Sequence, residues 1–138
     1  MAIQLGVTLR NNMIGQYETT VSTSPKLIFR SGTQPSSCGA SDGGSLLAIL
    51  TLPADWQSNA SGVTTIVGNP WTGTGAAAGT IGHYRLKDST ATASDNTGTT
   101  HEQGACGTSG SDINLDNLVV AVGQTISVTS WTRTQGGA

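Results

Sequence analysis

Charge is what this sequence has least of. Only 14 of its 138 residues are charged, six Lys or Arg and eight Asp or Glu, which is 10% where a soluble domain usually carries about 25%. With a net charge of −2, the chain lacks the broad basic surface that a phosphate-driven nucleic-acid binder needs. Aromatics are scarce as well, at three Trp, two Tyr and one Phe. No apolar run approaches the roughly 18 residues of a membrane helix, so no membrane contact is expected. Met1 to Val7 show neither a cationic start nor a long apolar stretch, and no secretory signal is expected. The two cysteines, Cys38 and Cys106, sit in Gly/Ser-rich stretches. A chain of this size does not need a staple, so two free thiols are expected, with one bridge as the alternative.

Small residues fill the gap: 21 Thr, 15 Ser and 19 Gly. The composition is nevertheless that of a folded chain, because 36% of residues are hydrophobic and disorder pairs low hydrophobicity with high net charge. The length suits one domain over residues 1–138 that buries roughly 70% of its unfolded surface.

Ile3, Leu5, Val7 and Leu9 alternate, which predicts a strand over residues 3–9. Leu9, Met13, Tyr17 and Val21 then recur every four residues, which predicts a helix over 10–22 along one face. Gly15 weakens that helix by roughly 1 kcal/mol, and Ser24-Pro25 ends it, because the residue before proline avoids the helical region. Residues 26–134 read as short strands and turns. The strands fall near 26–31, 46–52, 63–67, 83–87, 100–106, 113–115, 119–122 and 124–134, with a turn at Gly68-Asn69-Pro70 and a frayed tail over 135–138. About eight short strands between Gly, Asn, Ser and Pro turns, with one short N-terminal helix, predict an all-β antiparallel sandwich or jelly roll.

Chemical motifs are thin. Gly73-Thr74-Gly75-Ala76-Ala77-Ala78-Gly79 superficially resembles a phosphate loop, but it lacks both the Gly-Lys-Ser/Thr ending and the strand–helix context. It reads as a turn whose small residues permit close backbone approach. His83, His101, Glu102 and Cys106 are metal-ligand types without metal-ligand spacing, so no metal is expected. His83, Arg85 and Lys87 alternate with Tyr84 and Leu86, which suggests a solvent-facing basic edge on a strand. No spacing singles out a carboxylate pair for hydrolysis, and no Gly-x-Ser-x-Gly elbow is present. Neither an enzyme nor a cofactor is expected.

The tryptophans are the residues most worth following. Core packing is the default for each. The alternative is an exposed aromatic platform, for sugar rings or as an interface hot spot, and Trp56 and Trp71, in loops after prolines, suit it better than Trp131. The candidate interface residues are Trp56, Trp71 and Trp131, with Arg133, the single charge in Val119–Thr134, and Met13 and Tyr17 of the helix.

Arg10-Asn11-Asn12-Met13, Glu18-Thr19-Thr20-Val21, Ser24-Pro25-Lys26-Leu27, Leu50-Thr51-Leu52-Pro53-Ala54-Asp55-Trp56, Trp71-Thr72-Gly73-Thr74-Gly75, Ala78-Gly79-Thr80-Ile81-Gly82-His83-Tyr84-Arg85, Leu115-Asp116-Asn117 and Gly123-Gln124-Thr125 follow one another along nearly the whole chain. This succession resembles a group of small virion structural proteins of tailed bacteriophages. The motifs are those of packing and turns. Where the group often has a Thr-Cys-His run, this chain has His101-Glu102-Gln103-Gly104-Ala105-Cys106, which argues against a shared metal or thiol role. The resemblance implies a capsid cement or decoration protein on the capsid exterior, made in the host cytoplasm. Its partners would be the major capsid protein and its own copies, as a dimer or trimer. A tail or fibre-attachment component is the alternative, and a carbohydrate-binding module using Trp56 and Trp71 is the second. Small polar surfaces hold neighbours with little side-chain entropy to lose. The near-absence of charge over Val119–Thr134, where a monomer would guard its sheet edges, predicts pairing of a terminal strand region with another subunit.

Overall fold

The computed structural model describes residues 3–68 and 71–137. The chain is mostly β with one N-terminal helix, α1 (Val7–Val21). The strands are β1 (Lys26–Ser31), β2 (Leu46–Thr51), β3 (Gln57–Ala60), β4 (Val63–Ile66), β5 (Trp71–Thr74), β6 (Gly79–Lys87), β7 (Thr100–Gly107), β8 (Ile113–Leu115), β9 (Val119–Val120), β10 (Thr125–Ser130) and β11 (Thr132–Thr134). The larger sheet runs β2-β1-β6-β7-β8-β10-β5, with β9 paired to the start of β6, and the smaller runs β11-β4-β3.

The larger sheet is mixed and nearly closes into a barrel. Its ladders are antiparallel except β7 with β8, which run parallel through Cys106–Ile113 and Gly107–Asn114. At the far edges, a single bridge joins Ala48 to Gly75, and the Ala76 amide donates to the Leu47 carbonyl at 2.7 Å. Closure depends on glycine. A Cβ on Gly73 would lie 2.6 Å from Leu50 Cδ1, and one on Gly75 would lie 2.6 Å from Val120 Cγ1. The glycine run that imitates a phosphate loop is therefore where two strands approach closely.

β1 and β6 are buried on both faces. Leu27, Phe29, Tyr84 and Leu86 face the apolar core, which also takes Leu47, Leu50, Ile113, Ile126 and Val128. On the other face Arg30 stands opposite His83, and Ile28 opposite Arg85. This face is not a solvent edge. His83, Arg85 and Lys87 are all buried, because the 32–44 and 88–99 loops cover them and supply their hydrogen-bond partners.

Several local expectations are corrected. Residues 3–6 form no strand, and the helix begins at Val7. The alternation Ile3–Leu9 has no partner strand to bury it, and both ends of it are exposed. The buried helix face is Arg10, Ile14 and Val21, with Tyr17 half-buried, whereas Leu9 and Met13 face outward. A strict four-residue spacing drifts about 40° per step at 3.6 residues per turn, so the true stripe steps by four, three and four. The 124–134 run is two strands in different sheets, broken at the buried Trp131. Gln135 and Gly137 are tied down rather than frayed: the Gln135 amide donates to Gly62 O at 2.7 Å and the Leu5 amide to Gly137 O at 2.6 Å. The short strands β3 and β5 have no counterpart in the expected set. Of the expected turn Gly68-Asn69-Pro70, the last two residues lie outside those described.

Candidate functional site

Two clusters of charged side chains are buried or partly buried in this protein. The first lies under the 32–44 loop. Asp42, whose side chain is 2% exposed, accepts from Arg85 Nη1 at 2.7 Å and Lys87 Nζ at 2.9 Å. Arg30 bonds Asp95 at 2.7 Å and the carbonyls of Gly43 and Gly44. Arg85 also donates to the carbonyls of Ser37, Cys38 and Ala40 and to Gln103, while Lys87 reaches Thr97 O. Backbone carbonyls thus share the positive charge with one buried carboxylate. That sharing is what makes burying three cations tolerable, since an unpaired buried charge is strongly unfavourable. Burial alone would raise the Asp42 pKa, but the hydrogen bonds from Lys87 and Arg85 outweigh it and hold the carboxyl well below the usual range. Burial pushes His83 down, and the charges of Arg30 and Arg85 add to this. Its Nδ1 lies 3.0 Å from Gly32 O and its Nε2 has no partner among the described residues. An open cavity of about 340 Å³ borders this cluster, lined by Cys38, Asp42, Arg85, Lys87, Asn96 and Thr99 among others.

The second cluster centres on Glu102, which enters the core from β7 beside Tyr84. It accepts from Tyr84 Oη at 2.5 Å, Tyr17 Oη at 2.7 Å, Trp131 Nε1 at 3.2 Å and Arg133 Nε at 3.0 Å. Burial would raise the Glu102 pKa, but Arg133 and the two tyrosine hydroxyls overcome this and lower it. Burial and the Glu102 carboxylate push Tyr17 up to about 12, and Tyr84 is raised further. One carboxylate therefore ties α1, β6, β7 and β11 together.

The tryptophans form a closed triangle in the core. Trp56 and Trp131 have ring centroids 5.6 Å apart, Trp71 and Trp131 5.9 Å, and Trp56 and Trp71 6.2 Å. Tyr17 meets Trp131 edge-on at 5.5 Å, and Arg133 lies over the Trp131 ring. All three tryptophans are buried. Core packing, the default for each, therefore holds, and the alternative of exposed rings at Trp56 and Trp71 does not. Prolines beside them suggested surface loops, but the indole N–H groups find backbone partners inside, Trp56 on Ser22 O and Trp71 on Val67 O. No stacking platform for a sugar ring remains at either. Of the other candidate residues, Arg133 and Tyr17 serve the Glu102 cluster and only Met13 is freely exposed.

Sequence reasoning missed Asp42 and Glu102 as organising groups. The one available signal was Asp42 itself, the only acid in a Gly/Ser/Pro loop otherwise without charge. Among the described residues no three His, Cys, Asp or Glu side chains converge as a metal site, and both cysteines are free. No helix among the described residues is long and apolar enough to cross a membrane. Fold and site together define a mostly-β protein with one N-terminal helix whose cationic side chains are largely spent inside. No family model, no curated protein and no solved structure matches the chain.

Proposed function

We propose that this protein is a structural subunit of a tailed-bacteriophage virion. Its most fitting station is that of a cement or decoration protein on the capsid exterior, held by the major capsid protein and by its own copies, with no catalytic task. We read its architecture in the same sense, as a sandwich-type or jelly-roll-type unit whose small sheet packs on the larger one around the tryptophan triangle.

The observation that carries the reading is where the charge lies. Arg10, Arg30, Arg85 and Lys87 are buried and Arg133 is paired with Glu102, which leaves Lys26 as the only other cation. No charged residue occurs in the 29 positions from Trp56 to Tyr84 or in the 16 from Asn117 to Thr132. These uncharged segments supply β3, β4, β5, β9 and β10, and they expose Val119 and Val122. Of these strands, β3 and β9 are edge strands, which a free monomer guards with charge, Lys above all, and interface cores are depleted in Lys, Glu and Asp. The virion resemblance supports the same assignment.

The test is to add the purified protein to capsids assembled without it. The expected result is saturable binding at hundreds of copies per particle and a higher temperature of shell disruption. Binding at tens of copies confined to the tail would favour the tail-component reading. Capsids neither bound nor stabilised would overturn the cement reading.

A further inference from the structure

The connector between α1 and β1 holds two of the four non-glycine residues with positive φ among those described. It is four residues long, Ser22-Thr23-Ser24-Pro25, and the two are Ser22 at φ 74° and ψ −169°, and Ser24 at φ 49°. Ser24 also precedes Pro25, whose ring disfavours a helical conformation at that position. Left-handed or more extreme conformations in non-glycine residues persist only where surrounding contacts over-determine them, and they collect at switches and hinges.

The connector itself is pinned at both ends, by the Trp56 indole on Ser22 O at 3.0 Å and the Leu52 amide on Pro25 O at 2.9 Å, and the contacts of the helix with the β body are directional. Arg10 Nη1 donates to Ser61 O at 2.9 Å, and the Gly62 amide donates to Asn11 Oδ1 at 2.7 Å. Gln57 clamps the middle, with Nε2 on Ile14 O at 2.7 Å and Oε1 accepting from the Glu18 amide at 3.0 Å. Glu18 Oε1 accepts from the Trp56 amide at 3.2 Å, and Tyr17 reaches Glu102. Only Ile14 and Val21 are buried apolar residues of α1. A helix held this way cannot leave its groove for solvent without stranding buried polar groups, since unsatisfied donors and acceptors are costly. It can leave for an identical groove, where every one of these bonds is remade.

We propose that α1 is an exchangeable arm, which swings about Ser22–Ser24 and docks into the Gln57/Ser61/Glu102 groove of a second copy of this chain. A short hinge under strain is what favours exchange of an identical element between protomers. An extended connector relieves both serines, whereas the docking contacts are the same in the closed and exchanged forms. The exposed residues of the helix are all uncharged, so none of them would repel a neighbouring copy. This deepens the self-association in the proposed function and names the element that performs it.

The geometry supplies its own reporter, because a Cβ at Gly15 would sit 3.1 Å from the Asn59 side-chain nitrogen. Full-length Cys38→Ser chains carrying Gly15→Cys are co-expressed with Cys38→Ser chains carrying Asn59→Cys and treated with a short thiol–thiol crosslinker. The expected product is a covalent heterodimer, absent when either variant is treated alone. The double variant in a single chain, treated at high dilution, gives the intramolecular bridge that shows the fold is intact. In parallel, light scattering on the unmodified protein is expected to show a slowly interconverting dimer, whose share falls several-fold in the Ser22→Gly/Ser24→Gly variant. Bridging only within single chains, or a dimer share unaffected by the glycines, overturns the exchange. Exchange fails alone if copies associate on capsids without the heterodimer bridge. The capsid reading fails alone if the bridge forms and capsids are not bound.

Discussion

Arg133 in β11 and Glu102 in β7 meet through Nη2 and Oε1 at 2.5 Å and through Nε and Oε2 at 3.0 Å. The two strands belong to different sheets and share no ladder, so this two-pronged bond joins the small sheet to the large one. Arg133 Nη2 also donates to Tyr84 Oη at 2.6 Å, and the Tyr17 hydroxyl brings α1 to the same carboxylate. Removing the acid leaves a partly buried guanidinium and three polar groups without their acceptor. Glu102→Ala is expected to destabilise the fold by about 3–5 kcal/mol, the usual cost of breaking a buried pair on one side. Urea unfolding followed by tryptophan fluorescence measures it. A loss below about 1 kcal/mol would mean that the carboxylate is not the joint described.

Acid should weaken the protein in two stages. His83 has a folded pKa below its ordinary value, so the unfolded chain binds that proton more readily, and the stability His83 contributes is present above about pH 6.5 and lost as pH falls. Asp42 and Glu102 also have depressed folded pKa values, and their contribution is present above about pH 4 and lost below it. Unfolding free energy measured from pH 8 to pH 3 should therefore decline gently, then steeply. His83→Gln should flatten the upper stage and leave the lower one. An unchanged upper slope in that variant would rule out His83 as its source.

The two thiols should differ in reactivity. Burial and the nearby Asp112 charge push Cys106 up to about 12, and it packs against the core. Thiolate is the reactive form, so a thiol-specific reagent at pH 8 should modify Cys106 only on unfolding. Cys38, half-exposed at the rim of the cavity beside Arg85 and Lys87, should react in the folded protein. Peptide mapping after timed labelling distinguishes the two sites. Equal labelling rates would contradict this placement.

Barrel closure should be sensitive to a single methyl group. A Cβ at Gly75 would collide with the Ala121 carbonyl and lie 2.6 Å from Val120 Cγ1. Gly75→Ala is expected to destabilise by about 1–3 kcal/mol, the usual range for overpacking. Gly136→Ala, where a Cβ meets nothing within 4 Å, should stay within about 0.5 kcal/mol. Thermal unfolding of the two variants side by side provides the comparison.

The mostly-β class and the positions of most strands were legible because turns made of Gly, Asn, Ser and Pro punctuate the sequence and β-branched runs lie between them. The helix was legible, but its face was not. The apolar count favoured Leu9 and Met13, while the residue that enters the groove is Arg10, because Ser61 O is there to accept from it. The exposed alternative at Trp56 and Trp71 arose for a similar reason: a proline nearby is visible in sequence, whereas the Ser22 carbonyl that satisfies the Trp56 indole lies 34 residues away and is not placed until the chain folds.

The sequence by itself determined that this is a single low-charge β-rich chain with one helix and few chemical motifs, because composition and local periodicity act between near neighbours. Where the few charges go was decided only by the tertiary structure. Asp42 and Arg85 are 43 residues apart, and Glu102 and Arg133 31. Each pair forms because strand register brings it together in a low-dielectric interior, where an ion must find its counterpart. By drawing these charges inward, the fold leaves a surface with almost no cation on it.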